Sequence, residues 1–176
     1  MSSGDRIGVL FVCTGNICRS PLAEGVFLHL ARERGVEDRF DVDSAGTGGW
    51  HAGERPDPRS LEVAERYGVE LPGRARRIDP PGDWERFDLI VVMDHDHVHA
   101  VTEEGAPADR VRLLMSYDRS LGKSHDDLLS SGGGAVPDPY WGGDEGFERV
   151  YAMVEGGCEG LLDELTGGGS RPGHGS

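Results

Sequence analysis

Three cysteines in 176 residues are too few, and odd in number, for a disulfide framework, so a reducing compartment is expected. Positive charge is scarce as well. Lys and Arg number 18 against 32 Asp and Glu, a formal net charge of -14. Phosphate-backbone binding draws on the opposite balance, so no nucleic-acid partner is expected. The acidic excess reads as a well-solvated surface. No run approaches the about 18 apolar residues of a membrane span, and the first six residues form neither a basic leader nor the start of a long apolar stretch. No membrane partner is expected, and the expected location is cytoplasmic. No internal repeat is visible.

What is present is a globular composition, 36% hydrophobic and 28% charged, with a high count of 28 glycines. The length suits one domain, placed at residues 1–166, with 167–176 read as a flexible tail. Ile7-Gly8-Val9-Leu10-Phe11-Val12 is a short β-branched-rich run that suits a strand buried on both faces, and it stops at Cys13. Leu22, Val26, Leu30 and Ala23, Phe27, Ala31 then recur at helical spacing up to Gly35, behind Ser20 as N-cap and Pro21 as first helical residue.

Further strands are expected over 40–44, 87–93 and 111–114. Helices are expected over 58–68, capped near Asp57, from about Asp96, and over 146–165, where Gly156, Gly157 and Gly160 weaken the middle. Residues 45–51 read as a loop and 116–137 as a long irregular connection. Strands alternating with helices predict an α/β fold, a single three-layer domain with a central four-stranded parallel sheet flanked by helices on both faces. Ligands of such sheets bind beyond the carboxyl ends of the strands, which singles out the loop after the first strand.

That loop is Cys13-Thr14-Gly15-Asn16-Ile17-Cys18-Arg19-Ser20. A loop winding into a helix N-terminus turns successive backbone N–H groups inward and forms an anion nest that the helix dipole reinforces. Arg19 adds a guanidinium fork suited to two phosphate oxygens. The same positive field favours the nucleophilic thiolate form of a cysteine at the Cys13 position. Ser20 is placed to donate to the sulfur, and Asn16 tolerates the positive φ such a loop needs. A Cys-x5-Arg spacing alone carries little information, since buried cysteine is often a small hydrophobe. The preceding strand and the following Ser-Pro give it weight.

Residues 9–24, VLFVCTGNICRSPLAE, resemble the signature of the low-molecular-weight protein tyrosine phosphatases. Asp43-Ser44-Ala45-Gly46-Thr47 is similar to the family's second-strand exit, Met93-Asp94 to its third-strand exit and Asp138-Pro139-Tyr140 to its general-acid loop, in the family's order along most of the chain. The resemblance implies hydrolysis of tyrosine-phosphorylated protein substrates, with inorganic phosphate as product and without cofactor or metal. Cys13 is then the nucleophile, Arg19 and the loop residues Thr14, Gly15, Asn16, Ile17, Cys18 and Ser20 hold the phosphate, and Ser44 and Asp94 support them. Asp138, its backbone restricted by Pro139, serves as acid and then as base. Tyr140 and Trp141 offer an aromatic wall to the phosphotyrosine ring, and Trp50 and Ile17 flank the mouth. Ile17, bulky and apolar, favours an aryl phosphate, whereas a related phosphoarginine-specific group carries Thr there. Cys18 is implied as a reversible disulfide partner of Cys13. One departure is Gly73, where many members carry a histidine ahead of a segment like Arg74-Ala75-Arg76-Arg77.

Three rival readings stay open. Arsenate reductase chemistry on a related loop needs a further redox cysteine pair, and only Cys158 remains. A phosphoarginine phosphatase of related fold is the second. An inactive phosphotyrosine-binding module is the third, against which Cys13, Arg19 and Asp138 are all present. His95, His97 and His99 lack a matching cage of further ligands, so no metal is expected on them.

Overall fold

The computed structural model describes residues 6–167. The expected tail, except for Gly167, lies outside the described residues. The chain runs β1 (Ile7–Cys13), α1 (Arg19–Glu33), β2 (Phe40–Gly46), α2 (Pro58–Arg66), α3 (Gly82–Arg86), β3 (Leu89–Val92), α4 (His95–Glu103), β4 (Val111–Leu113), α5 (His125–Ser131) and α6 (Asp144–Leu165), with short 3-10 turns at Glu37–Arg39, Ala108–Arg110 and Leu114–Tyr117.

Val9, Leu10, Phe11 and Val12 have no exposed surface, as a continuous apolar strand requires when both faces are covered. The sheet order is β2-β1-β3-β4, all parallel, with Cys13 opposite Gly46 and Val12 opposite Val92. From β1 the chain steps one way to β2; from β3 it steps the other way to β4. Right-handed crossovers therefore put α1 and α4 on opposite faces, and α1 packs on β1 and β2 while α4 packs on β3 and β4. The expected three-layer α/β domain is what forms. Its strand order reverses between β1 and β3, and a crevice opens beyond their carboxyl ends. On the α1 face, Phe27 bridges Phe11 and Phe40 at ring centroid distances of 5.8 and 5.1 Å, and α6 packs along α1 and α2.

Several expectations need correction. Ser20 is not the N-cap of α1: Cys18 holds that place without a side-chain cap, and Ser20 is the second helical residue, its hydroxyl turned to Cys13. Pro21 is third rather than first, still within the turn whose N–H groups have no helical partner. The stretch read as irregular holds α5, opened by a capping box between Ser124 and Asp127 and closed by Gly132 at φ 80°. The Ser-x-x-Asp pattern was the available signal. The third strand is shorter than expected, and α3 was not foreseen.

The glycines of α6 do not interrupt it. A Cβ at Gly160 would run into the Tyr117 carbonyl, and one at Gly157 would come within 2.6 Å of Leu114. Close packing against the Leu114–Tyr117 turn outweighs the about 1 kcal/mol that each glycine costs a helix. Among the described residues no helix is long and apolar enough to cross a membrane.

Candidate active site

The loop after β1 is pinned from outside by its carbonyls. Thr47 N donates to Cys13 O (2.9 Å), Gly48 N to Thr14 O (3.0 Å) and Asp57 N to Ile17 O (2.8 Å). Gly46 permits the first two contacts, since a Cβ there would sit 2.7 Å from Thr14 O. Those carbonyls are taken up by neighbouring segments, and among the described residues none of the N–H groups of residues 14–19 meets a protein acceptor. Donors arranged in this way suit an anion.

Asn16 fixes the bend. It is the one non-glycine residue with positive φ (59°) among the described residues, and its side chain uses both of its hydrogens: Nδ2 donates to Ser20 Oγ (2.8 Å) and Ser44 Oγ (3.0 Å), while Oδ1 accepts from Arg76 N (2.9 Å). Ser20 Oγ thus already accepts a hydrogen bond, and its own hydrogen has two acceptors in reach, Cys13 Sγ at 3.0 Å and Ala45 O at 3.5 Å, of which the sulfur is the nearer. Ser44 Oγ in turn donates to Glu24 Oε1 (2.7 Å). Burial pushes the Glu24 carboxyl up to about 7; the Ser44 bond pulls it down, Asp43 pushes it up and Arg76 pulls it down. Asn16, Ser20 and Ser44 therefore lie behind the loop and hold it, while the cavity is lined by other side chains.

Arg19 is 3% exposed. Its Nη1 donates to Asp94 Oδ2 (3.0 Å) and Val136 O (2.9 Å), which uses both hydrogens. Nη2 donates to Thr14 Oγ1 (3.2 Å) and lies 3.7 Å from Asp138 Oδ2. Asp94, expected as a support, is thus in direct contact with Arg19. Reading the histidines only as metal candidates missed His97. Its Nδ1 accepts from Met93 N (3.3 Å) and Asp94 N (3.2 Å), which assigns the proton to Nε2, the donor to Thr14 Oγ1 (2.9 Å). Burial pushes His97 down to about 4 against the pull of Asp94, so the ring is neutral at pH 7. The 3.3 Å approach of its Nδ1 to Asp94 Oδ1 is then the geometry of a capping box and no ion pair. An Asp-x-x-His pattern at a helix start was the only signal in the sequence. The other two histidines diverge: His95 pairs with Gly133 O (2.8 Å) and His99 is exposed.

Val136 brings the acid loop over the crevice, its N donating to Met93 O (2.8 Å) while its O accepts from Arg19. Asp138 follows, 41% exposed, its Oδ1 accepting from Tyr140 N (3.0 Å). A cavity of about 170 Å³ results. Cys13, Thr14, Gly15, Ile17, Cys18 and Arg19 line it from the phosphate loop, and Trp50, His51, Asp138, Tyr140 and Trp141 complete it. The structure thus brings together every side chain expected at the mouth. Trp50 and Trp141 stand 73% and 86% exposed, and Tyr140 meets Trp141 edge to face at 4.8 Å. His51, paired with Glu54 (3.0 Å), was not foreseen.

Cys13, Cys18 and Cys158 are free thiols. Burial first, then Asp57, Cys13 and Asp138, push Cys18 up to about 12. Cys158 is wholly buried against Ala23 O, and burial raises it too. Gly73 is an exposed residue at φ 79° with open space where a Cβ would be.

The family model described as low molecular weight phosphotyrosine protein phosphatase matches residues 8–170. A relative named low molecular weight protein-tyrosine-phosphatase, from Streptomyces coelicolor, is 45% identical over 159 residues, covering 88% of this chain and 90% of its own. The crystal structure of a protein tyrosine phosphatase from Entamoeba histolytica superposes with a TM-score of 0.81 at 31% identity, covering 92% of this chain and 98% of that one. A drosophila arginine phosphatase superposes with a TM-score of 0.75 at 31% identity over 89% of this chain and 96% of its own.

Proposed function

The chain belongs to the low molecular weight phosphotyrosine protein phosphatase family, and we propose that it hydrolyses phosphotyrosine on proteins with Cys13 as nucleophile, Arg19 and the loop amides as phosphate cradle and Asp138 as acid and base. The observation that carries this reading is the run of N–H groups from residues 14–19 that, among the described residues, have no protein acceptor, in the loop that lines one cavity with Cys13, Arg19 and Asp138.

In the first step the Cys13 thiolate attacks phosphorus in line, the P–O bond to tyrosine breaks, and the departing oxygen takes the proton of Asp138. The equatorial oxygens meet the amides and Arg19, donors already in place before charge develops. In the second step water attacks the phosphocysteine and gives its proton to Asp138, the S–P bond breaks, and the thiolate returns with inorganic phosphate released. Each developing charge meets a protein group, so the cycle as written calls on no metal.

Ile17, 7% exposed in the cavity wall, supports a flat aryl substrate over the flexible chain of phosphoarginine. Cys158, buried in the core, cannot supply the relay of an arsenate reductase. The three reduced thiols suit a cytoplasmic location. Under oxidant, Cys18 is the proposed partner for a disulfide that silences Cys13; inactivation that thiol reverses in the native chain but not in Cys18→Ser is the expected sign.

The test is phosphate release from matched phosphotyrosine, phosphoserine and phosphoarginine peptides. Turnover confined to phosphotyrosine and abolished by Cys13→Ser is expected. Preference for phosphoarginine would move the assignment to the second reading, and tight binding of phosphotyrosine without turnover would make the chain a binding module.

A further inference from the structure

The N-terminus of α2 touches both catalytic loops at once. Asp57, its N-cap, is 8% exposed; its backbone N–H holds Ile17 O of the phosphate loop at 2.8 Å. Its carboxylate receives Arg59 as a fork, Nε to Oδ1 and Nη2 to Oδ2, each at 3.2 Å. The same guanidinium reaches over to the acid loop, where Nη2 donates to Tyr140 O (3.1 Å) and Nη1 to Gly142 O (3.2 Å). It lies 4.5 Å from the Phe147 ring centroid and 5.6 Å from that of Tyr140. Five N–H groups in one plane allow a carboxylate and two carbonyls to be held together, which an ammonium cannot do with fixed geometry.

Asp138 hangs between two anchors. On one side Val136 is tied to Met93 and Arg19. On the other, Asp138 Oδ1 accepts from Tyr140 N, and Tyr140 O accepts from Arg59, so the two bonds act in series. Beyond them come Gly142 and Gly143, which offer the backbone little stiffness of their own.

We propose that Arg59 is a positioning residue that fixes the height of the Asp138 carboxyl over the phosphate loop, so that its loss impairs proton donation to the leaving group and leaves phosphate binding intact. This rests on the assignment of Asp138 as the acid. A misplaced acid harms most the substrates whose leaving group most needs a proton.

The experiment uses the full chain and compares Arg59→Met, Arg59→Lys and Asp138→Asn. Each is assayed for kcat/KM on phenyl phosphate and 4-nitrophenyl phosphate, and for inhibition by inorganic phosphate. Methionine keeps an apolar stem against Phe147, and lysine keeps the charge, so that two variants carry the same readout if one folds poorly. The expected result is a loss about tenfold greater on phenyl phosphate than on 4-nitrophenyl phosphate for Arg59→Met, a smaller bias for Arg59→Lys, and phosphate inhibition within about twofold of the native chain. Arg59→Met added to Asp138→Asn should add little further bias. Equal losses on both substrates, or phosphate inhibition weakened in step with rate, would show a merely structural role and overturn the proposal. If Asp138→Asn shows the bias and the Arg59 variants do not, only the role of Arg59 fails. If Asp138→Asn shows none, the acid assignment fails and takes the proposal with it.

Discussion

The phosphate loop and the acid loop face each other across one cavity and are built in opposite ways. Cys13, Asn16, Ile17, Cys18, Arg19 and Ser20 are each 7% exposed or less, and Asn16, Arg19 and Ser20 are each held by two or more hydrogen bonds. Asp138 is 41% exposed, Trp141 is 86% exposed, and the loop carrying them is held at Val136 and by Arg59. The two halves of the chemistry ask for this difference. Equatorial phosphate oxygens need donors that do not reorganise as charge develops. A proton donor that must admit a protein side chain, release it and then serve as a base needs access and some freedom.

The sharpest way to break the comparison is Arg19→Lys. It preserves the charge but loses the fork and, with it, the double tie to Asp94 and Val136. A fall in kcat/KM on the order of 10³-fold, about 4 kcal/mol, is expected with little regard to leaving group. A loss that depended strongly on the leaving group would mean that Arg19 acts mainly through Asp138, 3.7 Å away. Next comes Asp138→Asn, with a fall of about 10²-fold on phenyl phosphate, about 3 kcal/mol, and a much smaller one on 4-nitrophenyl phosphate. Phosphate inhibition unchanged by Asp138→Asn but weakened by Arg19→Lys would separate the two loops by function as they are separated by burial.

How each loop was legible follows from how it is made. The phosphate loop is local: strand, turn and helix N-terminus lie within 7–33, and Cys13, Arg19, Asn16 and Ser20 all stand in one short run of sequence. Its strand, its helix and the nearness of Ser20 to Cys13 could be read directly. The cap could not, because the first turn of α1 keeps its N–H groups for a ligand and not for a side chain, against ordinary capping preference. The acid loop is assembled from afar. Asp138 could be found only through Asp-Pro-Tyr and a family resemblance, and nothing local to Arg59 or His97 announces partners 81 and 83 positions away in the chain. The glycines of α6 misled in the same way, since their reason lies in the Leu114–Tyr117 turn.

Asn16→Ala tests whether the rigidity of the phosphate loop rests on one side chain. It removes three hydrogen bonds to buried or part-buried partners and leaves a residue with a Cβ at φ 59° without the compensation that Asn has. A stability loss of about 2 kcal/mol in urea unfolding is expected. Activity should fall on all substrates alike, because the hydroxyl of Ser20 loses the donor that aims it at Cys13. Stability within experimental error of the native chain would place the rigidity elsewhere, in the carbonyl ties from Thr47, Gly48 and Asp57.

The smallest effect concerns the far end of the same network, and its sign depends on pH. Glu24 is raised by burial to about 7 in the folded chain, so between its ordinary value near 4.5 and about 7 the folded state holds a proton that the unfolded state has released. Its contribution is therefore highest below pH 4.5 and is lost as pH rises through 7. His97 runs the other way: lowered to about 4, it costs stability as pH falls below its ordinary 6.5, where the unfolded chain takes up the proton first. The native pH profile blends the two, and Glu24→Gln isolates one. Glutamine keeps an acceptor for Ser44 but buries an amide donor without an evident partner, which offsets part of the gain. The variant should be more stable than the native chain at pH 8 by on the order of 1–2 kcal/mol, and no more stable at pH 4.5. Urea unfolding at the two pH values reads this difference directly. Parallel profiles for variant and native chain would mean that Glu24 ionises normally in place, and that the Ser44 bond and Arg76 together offset burial and Asp43.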